Sequence, residues 1–329
     1  MGAKLKGIHF TFNKALLIIW IAIFLIIGIN SPSFFSTSYI INVMLRNIIE
    51  IGLVALPMTL IIITGGIDLS VGNLMVLSAM LGGIAFTRGG VILALIVTIL
   101  TGVLGGFING VVIAKAKISP MVATLATMYL YLGLARGISA GDSIYSYSFA
   151  EFMGTTSIAG LPVQLWLYIV LAIIFTILLG STVFGRKLYG IGLNENATQY
   201  AGINIDRVLI MLYVICGTMC ALAAFIWLGR FTSVKYDAGT AFNLKAITIV
   251  VLGGTSITGG VGDMKGTILG TLIIATLNSG LTVMNIPIDV QTIVQGTVLI
   301  VALIASSIVQ KRAKQSTILK VAVPKAETN

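Results

Sequence analysis

The sequence has few charged residues and almost none of the residues that build disulfide or metal sites. Only 9% of its 329 residues are charged, whereas soluble domains carry roughly 25%. The chain has two cysteines and one histidine, so neither a disulfide framework nor a zinc site is expected. Cys216 and Cys220 lie one turn apart on a predicted helix, and we interpret them as packing residues. This composition excludes an ordinary soluble protein.

Motifs for nucleotide hydrolysis and for catalysis are also missing from the sequence. Segment 259–266 is rich in glycine but lacks the Gly-Lys-Ser/Thr ending that cradles phosphates and magnesium. Any ATP must therefore be hydrolysed by another chain. The sequence offers no grouping of nucleophile, base and orienting residue, and no cluster of metal ligands. We expect no catalytic residue, no metal and no cofactor, and a chain that is not itself an enzyme.

Long apolar runs dominate what remains. Hydrophobic residues make up 57% of the chain, and a helix of about 20 residues crosses a bilayer once. The runs cover residues 15–29, 47–64, 74–86, 91–113, 121–138, 163–179, 208–228, 246–252, 267–284 and 290–308. The sequence predicts an all-α integral membrane protein with about ten transmembrane segments. A single membrane domain, 15–308, follows an N-terminal arm, 1–14, and precedes a tail, 309–329.

The basic residues predict the orientation in the membrane. The net charge of +10 could suggest a nucleic-acid partner, but these residues are scattered between apolar runs, so we expect none. Basic residues gather in three predicted loops or tails: Lys115 and Lys117; Arg186, Lys187 and Arg207; Lys311, Arg312 and Lys314. The positive-inside rule places these segments, and both termini, in the cytoplasm.

Glycines and polar side chains interrupt two of the apolar runs. The first break contains Thr64, Gly65, Gly66, Asp68, Ser70, Gly72 and Asn73, and the second contains Gly253, Gly254 and Thr255. A carboxylate or a broken helix at membrane depth is costly unless it is buried in protein or lines a wet cavity. We interpret both breaks, with Asn278, as a weakly polar substrate pathway.

Two alternatives stay open at the breaks. Asp68 could line the pathway, or it could cap a half-helix and hold the break in shape. The glycines could merely allow helices to pack closely, which is what we expect of Gly102, Gly105 and Gly106 in an unbroken run.

The breaks also indicate an internal repeat. Runs 74–86 and 246–252 are shorter than the roughly 17 residues that span a bilayer, and each adjoins a break. Counting crossings between the cytoplasmic loops makes each break the bend of a hairpin or a re-entrant pair. The order helix, broken pair, helix occurs at 15–113 and again, in the same orientation, at 208–308, with a hairpin at 121–179 between. Such paired interruptions point to a translocation site.

The longest polar stretch on the predicted cytoplasmic side is the loop 185–207. Asn194 can cap a short helix whose first turn carries Glu195, and Gly202 can end that helix. A short helix outside the membrane is typical of a docking element. A solvated linker is the alternative.

Three segments resemble the ribose-type permeases of bacterial ATP-binding cassette importers. They are Gly-Gly-Ile-Asp-Leu-Ser-Val-Gly at 65–72, Asn-Glu-x-Ala-x-x-x-x-Gly-Ile at 194–203, and Ala-Gly-Thr at 238–240 leading to Val-Leu-Gly-Gly-Thr-Ser at 251–256. The likeness runs from Phe34 to Ile308, and residues 54–59 look closer to the autoinducer-2 and rhamnose branch.

The resemblance implies a permease of the bacterial plasma membrane with the helical fold of the vitamin B12 importers. It implies a second permease, identical or a sister chain, a cytoplasmic ATPase and an extracytoplasmic sugar-binding protein. The ATPase would contact Asn194, Glu195, Ala197, Ala201 and Gly202. Arg46, Arg136 and Arg230 are candidates to pair with carboxylates of the binding protein, or, alternatively, to anchor the chain at the membrane interface by snorkelling.

A stand-alone secondary transporter or facilitator of a small polar solute is the alternative function, because broken helices and repeats occur there too. A coupling-ion site would favour it. Asp68, however, has no obvious acidic partner within the membrane, since Glu50 lies near a helix end and Asp263 near a loop.

Overall fold

The computed structural model describes residues 2–145, 154 and 156–304, so the predicted tail and its basic residues lie outside the described part. The chain is built from helices, which we number in order: α1 (Gly2–Asn30), α2 (Thr37–Ile63), α3 (Val71–Lys115), α4 (Pro120–Ser139), α5 (Val163–Ser181), α6 (Val183–Leu193), α7 (Glu195–Tyr200), α8 (Ile205–Phe231), α9 (Phe242–Leu252), α10 (Met264–Val283) and α11 (Ile288–Ile304). A 3-10 turn, Pro32–Phe35, joins α1 to α2, and α2 contains a π-helical turn at Ile40–Met44.

Among the described residues, seven helices are long and apolar enough to cross a membrane. This confirms the predicted all-α membrane protein. In α2, 94% of the most apolar window is buried, against 17% in α1. The first helix is therefore peripheral, and α2, which carries the first break at its end, lies at the centre.

The predicted short run 74–86 is wrong in length. The helix that contains it begins at Val71 and continues to a kink at Gly89 and Gly90, where the backbone leaves helical geometry before α3 resumes. The apolar run is shorter than this leg of α3 because polar residues lie at both ends of the leg, with Asn73 in its first turn and Arg88 in its last. The two legs of α3 pack against each other, with Leu74 beside Gly105. The kink is therefore the turn of a helical hairpin.

Glycines allow α3 and α8 to cross closely. A Cβ at Gly102 would overlap the carbonyl oxygen of Gly217, and a Cβ at Gly106 would overlap that of Tyr213. Backbones that approach this closely leave no room for a side chain, and small residues are common at such crossings in membranes. The packing role expected of Gly102 and Gly106 is confirmed. Cys216 and Cys220 are buried free thiols on α8, as expected of packing residues.

Ion pairs mark the two ends of α8. Asp206, in its first turn, pairs with Lys115 and Lys117 at 2.9 and 2.7 Å, which brings the end of α3 to this level. Arg230, in its last turn, contacts Arg46 O in the third turn of α2. We call these levels the Asp206 end and the Arg230 end of the molecule.

The first helix of each predicted half packs against the broken pair of the other half. The indole Nε1 of Trp20 on α1 donates to Thr276 Oγ1 on α10 at 2.9 Å, while α8 packs against α2. The second break bends α9 back onto α10, where a Cβ at Gly266 would overlap the carbonyl oxygen of Gly253. The two halves are therefore interlocked.

Two small sheets, which the sequence did not predict, lie in the connecting loops. Strand β1 (Ile144–Tyr145) pairs antiparallel with β4 (Ser233–Val234), which directly follows α8. Strand β2 (Ser157–Ile158) pairs with β3 (Leu161–Pro162) ahead of α5. The first of these sheets ties the loop after α4 to the loop after α8 at the Arg230 end.

The segment 185–207, predicted as a loop with one short helix, contains more helix than that. Its first part belongs to α6, whose Gly185, Leu188 and Ile191 are buried. The sequence did not predict α6 because three glycines and two basic residues lie within residues 183–193. The predicted capped helix follows it directly as α7.

Candidate functional site

The two glycine breaks end their helices in the same way. At the first break, the Gly66 N–H donates to Ile61 O at 3.2 Å and the Gly65 N–H to Ile62 O at 2.9 Å. At the second, the Thr255 N–H donates to Val250 O at 3.2 Å and the Gly254 N–H to Val251 O at 2.9 Å. This paired pattern is a Schellman ending, which needs a residue in the left-handed region.

Gly65 and Gly254 supply that residue, with φ values of 82° and 88°. The left-handed region is open to glycine at little cost and unfavourable for most other residues. The glycines therefore set the geometry of both breaks.

The two breaks also touch each other. The Gly260 N–H, in the loop after the second break, donates to Ile63 O, the last residue of α2, at 2.8 Å. A Cβ at Gly259 would lie 3.0 Å from the Gly65 amide nitrogen. The structure therefore brings the segments around residues 64 and 254 together, although Gly254 comes 189 positions after Gly65 in the sequence.

Asp68 stabilises the first break from within. Its Oδ1 accepts the Ser70 N–H at 2.8 Å and the Ser70 hydroxyl at 2.7 Å, and its side chain is 2% exposed. These contacts hold the turn that leads into α3, although Ser70 is the residue before this helix and no side chain caps its first turn. Whether Asp68 also faces a pathway stays a prediction.

A buried polar network, absent from the sequence predictions, surrounds the first break. Asn109 on α3 donates to Ser70 Oγ at 2.8 Å, and its own Oδ1 lies 3.3 Å from the Tyr131 hydroxyl on α4. Asn243 on α9 donates to Leu69 O at 3.1 Å. Asparagines inside apolar runs were the available signal, since a buried amide needs partners.

Helix α4 contributes two further contacts to this network. The Thr124 hydroxyl accepts the Leu69 N–H at 3.1 Å, and Asn73 donates to Met128 O at 3.0 Å. The irregular backbone at Leu69 is thus bonded by side chains of two other helices, α4 and α9. This is the condition under which non-helical backbone is tolerated at membrane depth.

Helix α1 contacts the loop that follows the second break. Asn13 on α1 donates to Asp263 Oδ2 at 2.8 Å, and Asp263 caps α10 by accepting the Lys265 N–H. Thr255 is fully buried. Asn278, predicted for the pathway, is on α10 and accepts a hydrogen bond from Gln295 on α11 at 2.9 Å.

The predicted capped helix is present. Asn194 Oδ1 accepts the Ala197 N–H at 2.9 Å, Glu195 occupies the first turn of α7, and Gly202 follows its end with φ 82°. Beside this helix, Leu193 is 73% and Tyr200 92% exposed. Large apolar side chains this exposed outside the membrane-spanning helices indicate a contact surface. Sequence reasoning missed both.

Helix α6 connects this surface to the second break. The Tyr189 hydroxyl donates to Gly262 O at 2.8 Å. Burial raises the pKa of Tyr189 to about 12, and the nearby Asp263 carboxylate adds to the rise. The hydroxyl therefore stays protonated and remains a donor at neutral pH.

The three predicted docking arginines differ in their surroundings. Arg136 is exposed, with its guanidinium 5.5 Å from the centre of the Tyr236 ring. Arg46 is only 8% exposed, and Arg230 is paired with Glu50 of the same chain. Arg46 and Arg230 line a cavity of about 440 Å³ together with Asn42, Gly154 and Phe231. Contact with a binding protein stays a prediction for these residues, and Arg230 already has a carboxylate partner.

Long apolar helices around two helix breaks that touch each other define a multi-pass helical membrane protein of transporter type. The chain belongs to the family described as the permease component of the branched-chain amino acid transport system, which matches residues 39–303. No solved structure matches the chain.

Curated relatives cover most of the chain. It is 39% identical to the ribose import permease protein RbsC of Bacillus subtilis over 85% of this chain and 88% of that protein. It is 33% identical to RbsC of Escherichia coli K12 over 88% and 92%. It is also 36% identical to the autoinducer 2 import system permease protein LsrD of Yersinia enterocolitica over 82% and 84%.

These similarities confirm the resemblance found in the sequence. The chain is a permease subunit of an importer and a multi-pass protein of the inner membrane, and it is not itself an enzyme. ATP hydrolysis belongs to a separate subunit of such importers.

Proposed function

We propose that the chain pairs with a second permease, identical or a sister chain, to form a pathway for a monosaccharide or sugar-like solute. A cytoplasmic ATPase drives the passage, and an extracytoplasmic sugar-binding protein delivers the solute. The observation that carries the proposal is the similarity to ribose import permease proteins over 85–91% of this chain.

The proposed membrane arrangement has ten segments, counting the two legs of α3 separately and including the short α9. Both termini, the Asp206 end and α7 face the cytoplasm, in agreement with the lysines near Asp206. The vitamin B12-importer type of fold and a parallel repeat of 15–113 and 208–308 are part of the proposal. The matching Schellman endings of Gly65 and Gly254 support the repeat.

The proposed pathway runs beside the paired breaks. Its residues are Thr64, Gly65, Gly66, Asp68, Ser70, Gly72, Asn73, Gly253, Gly254, Thr255 and Asn278. The contact between Gly260 and Ile63 supports a shared site. Because most of these side chains are buried within this subunit, the breaks act as the hinge and wall of a pathway that opens between the two permeases. The substrate passes this wall without tight binding.

The proposed ATPase contact is α7 with its flanking residues. Asn194, Glu195, Ala197, Ala201 and Gly202 are all exposed, and the neighbouring exposed Tyr200 supports a docking surface. On the opposite side, Arg136 and Arg46 are the proposed contacts for the binding protein. Arg230 holds Glu50 in the structure, so its proposed part is to shape that surface.

Reconstitution in vesicles tests this function and separates it from a stand-alone transporter. The chain is incorporated into vesicles either alone or with its co-purifying ATPase. Radiolabelled ribose and the binding protein are then supplied on the extracytoplasmic side of the permease, and the ribose that crosses the membrane is counted. Uptake that requires both the ATPase and ATP supports the proposal. Uptake by the chain alone, driven by an ion gradient or by the solute gradient, would establish the secondary transporter instead. A panel of unlabelled pentoses, hexoses and autoinducer 2 as competitors then identifies the solute.

A further inference from the structure

Helix α6 meets both glycine breaks at one residue. Gly192, next to the last residue of α6, has no space for a side chain: a Cβ there would overlap the carbonyl oxygen of Ile63 and lie 2.5 Å from the Gly260 amide nitrogen. Those two atoms are the acceptor and the donor of the hydrogen bond that joins the breaks. The backbone of Gly192 therefore lies directly against this bond.

Neighbouring contacts strengthen the meeting point. A Cβ at Gly259 would lie 3.0 Å from both Gly192 O and Gly65 N. One turn earlier on α6, the Tyr189 hydroxyl donates to Gly262 O at 2.8 Å. The last turn of α6 is thus attached to the loop of the second break and packed against the end of the first.

The same turn continues into the exposed surface. The Asn194 N–H donates to Gly190 O at 3.0 Å, while the Asn194 side chain caps α7. Only one residue, Leu193, separates Gly192 from that cap. A displacement of α7 therefore also moves Gly192, because a closely packed backbone has low compressibility and transmits movement.

We propose that Gly192 is a positioning residue through which movement of α7 reaches both breaks at once. It contacts no substrate in this scheme, and it acts on Ile63 and Gly260. The inference rests on the proposed function, since it assumes that an ATPase moves α7. It adds that the two breaks move as one unit.

The test compares matched glycine variants in the reconstituted complex with its ATPase and binding protein. Gly192→Ala inserts a methyl group into the contact between the breaks. Gly180→Ala is the control, because its Cβ meets nothing within 4 Å. The readout is the number of solute molecules imported per ATP hydrolysed. A residue that only supports the fold would change the yield of complex and leave this ratio unchanged.

We expect Gly192→Ala to lower the ratio by about tenfold, within the usual range of coupling between sites, and Gly180→Ala to keep it. Tyr189→Phe removes only the bond to Gly262 and should lower the ratio about threefold, in line with the loss of one hydrogen bond. Tyr129→Phe, on the exposed face of α4, is its control.

The outcomes distinguish failure of the proposed function from failure of the role proposed for Gly192. A wild-type complex that does not import with ATP refutes the proposed function itself. A wild-type complex that imports, with a normal ratio in Gly192→Ala, overturns the role of Gly192 alone. If Gly192→Ala does not assemble, Tyr189→Phe decides, and a normal ratio in that variant overturns the inference.

Discussion

Arg230 and Glu50 form a buried ion pair that joins the end of α8 to α2. The guanidinium Nη1 lies 2.7 and 2.8 Å from the two carboxylate oxygens, and the two side chains are 11% and 5% exposed. The same guanidinium donates to Arg46 O and Asn47 Oδ1. An isolated charge at this depth is unfavourable, so each side chain depends on the other.

Removing either charge should destabilise the chain. Breaking a buried pair typically costs about 3–5 kcal/mol, because one charge is left uncompensated. We expect Glu50→Leu and Arg230→Met each to lower the yield and the thermal unfolding midpoint in detergent, and the double variant to recover part of the loss. Lys235→Met is the control, because its pair with Asp237 is 3.7 Å long and half exposed, so its loss should cost under about 1 kcal/mol. Equal midpoints for Arg230→Met and the control would contradict the expectation.

Substitution of Asp68 separates its two suggested roles. Asn keeps an oxygen that can accept both bonds from Ser70, whereas Ala leaves the buried Ser70 N–H without this acceptor, at a cost of about 1–3 kcal/mol. If Asp68 acts as a cap, Asp68→Asn should retain both assembly and uptake, and Asp68→Ala should lower assembly. Uptake lost in Asp68→Asn at normal assembly would instead assign Asp68 to the pathway. Size-exclusion yield and vesicle uptake, measured together, distinguish these outcomes.

The sequence predicts the helices and the two breaks, but it does not predict which distant residues contact the breaks. Apolar runs located the spanning helices, and Gly65 and Gly254 located both breaks, because these features are local in sequence. The contact of Gly260 with Ile63 depends on how distant segments pack, which periodicity does not encode. Asn109 and Asn243 could have been noticed as buried amides within apolar runs, although their partners could not. Helix α6 was missed because its glycines serve close packing, as at Gly192, rather than a turn.

The crossing of α3 and α8 should depend on the absence of side chains at the contact. Gly102→Ala places a methyl group against Gly217 O, and overpacking of this kind costs roughly 1–3 kcal/mol. Gly133→Ala makes the same change on α4, where a Cβ meets nothing within 4 Å. Alanine also has a higher helix propensity than glycine. We expect a lower unfolding midpoint for Gly102→Ala and an unchanged or higher one for Gly133→Ala. A midpoint unaffected at Gly102 would show that the helices can separate without loss.

The exposed surface around α7 should bind the ATPase through its apolar side chains. Tyr200 is 92% exposed, so Tyr200→Ala should leave the fold intact. Aromatic side chains dominate the binding energy of many interfaces, and truncating one at the centre weakens binding by about tenfold or more. Ala201→Trp adds bulk at an exposed position of the same surface and should also weaken binding.

The matched control for this surface is Ile288→Ala, at the start of α11, where the side chain is 79% exposed but far from α7 in the chain. Titration of the purified ATPase onto each variant in lipid nanodiscs gives the dissociation constants. We expect the control to bind as the wild type does and both variants near α7 to bind more weakly, with unchanged unfolding midpoints. Wild-type affinity in both variants would refute α7 as the docking element. Truncating Tyr200 removes contact area from an interface that includes this surface, and enlarging Ala201 obstructs the approach of the ATPase.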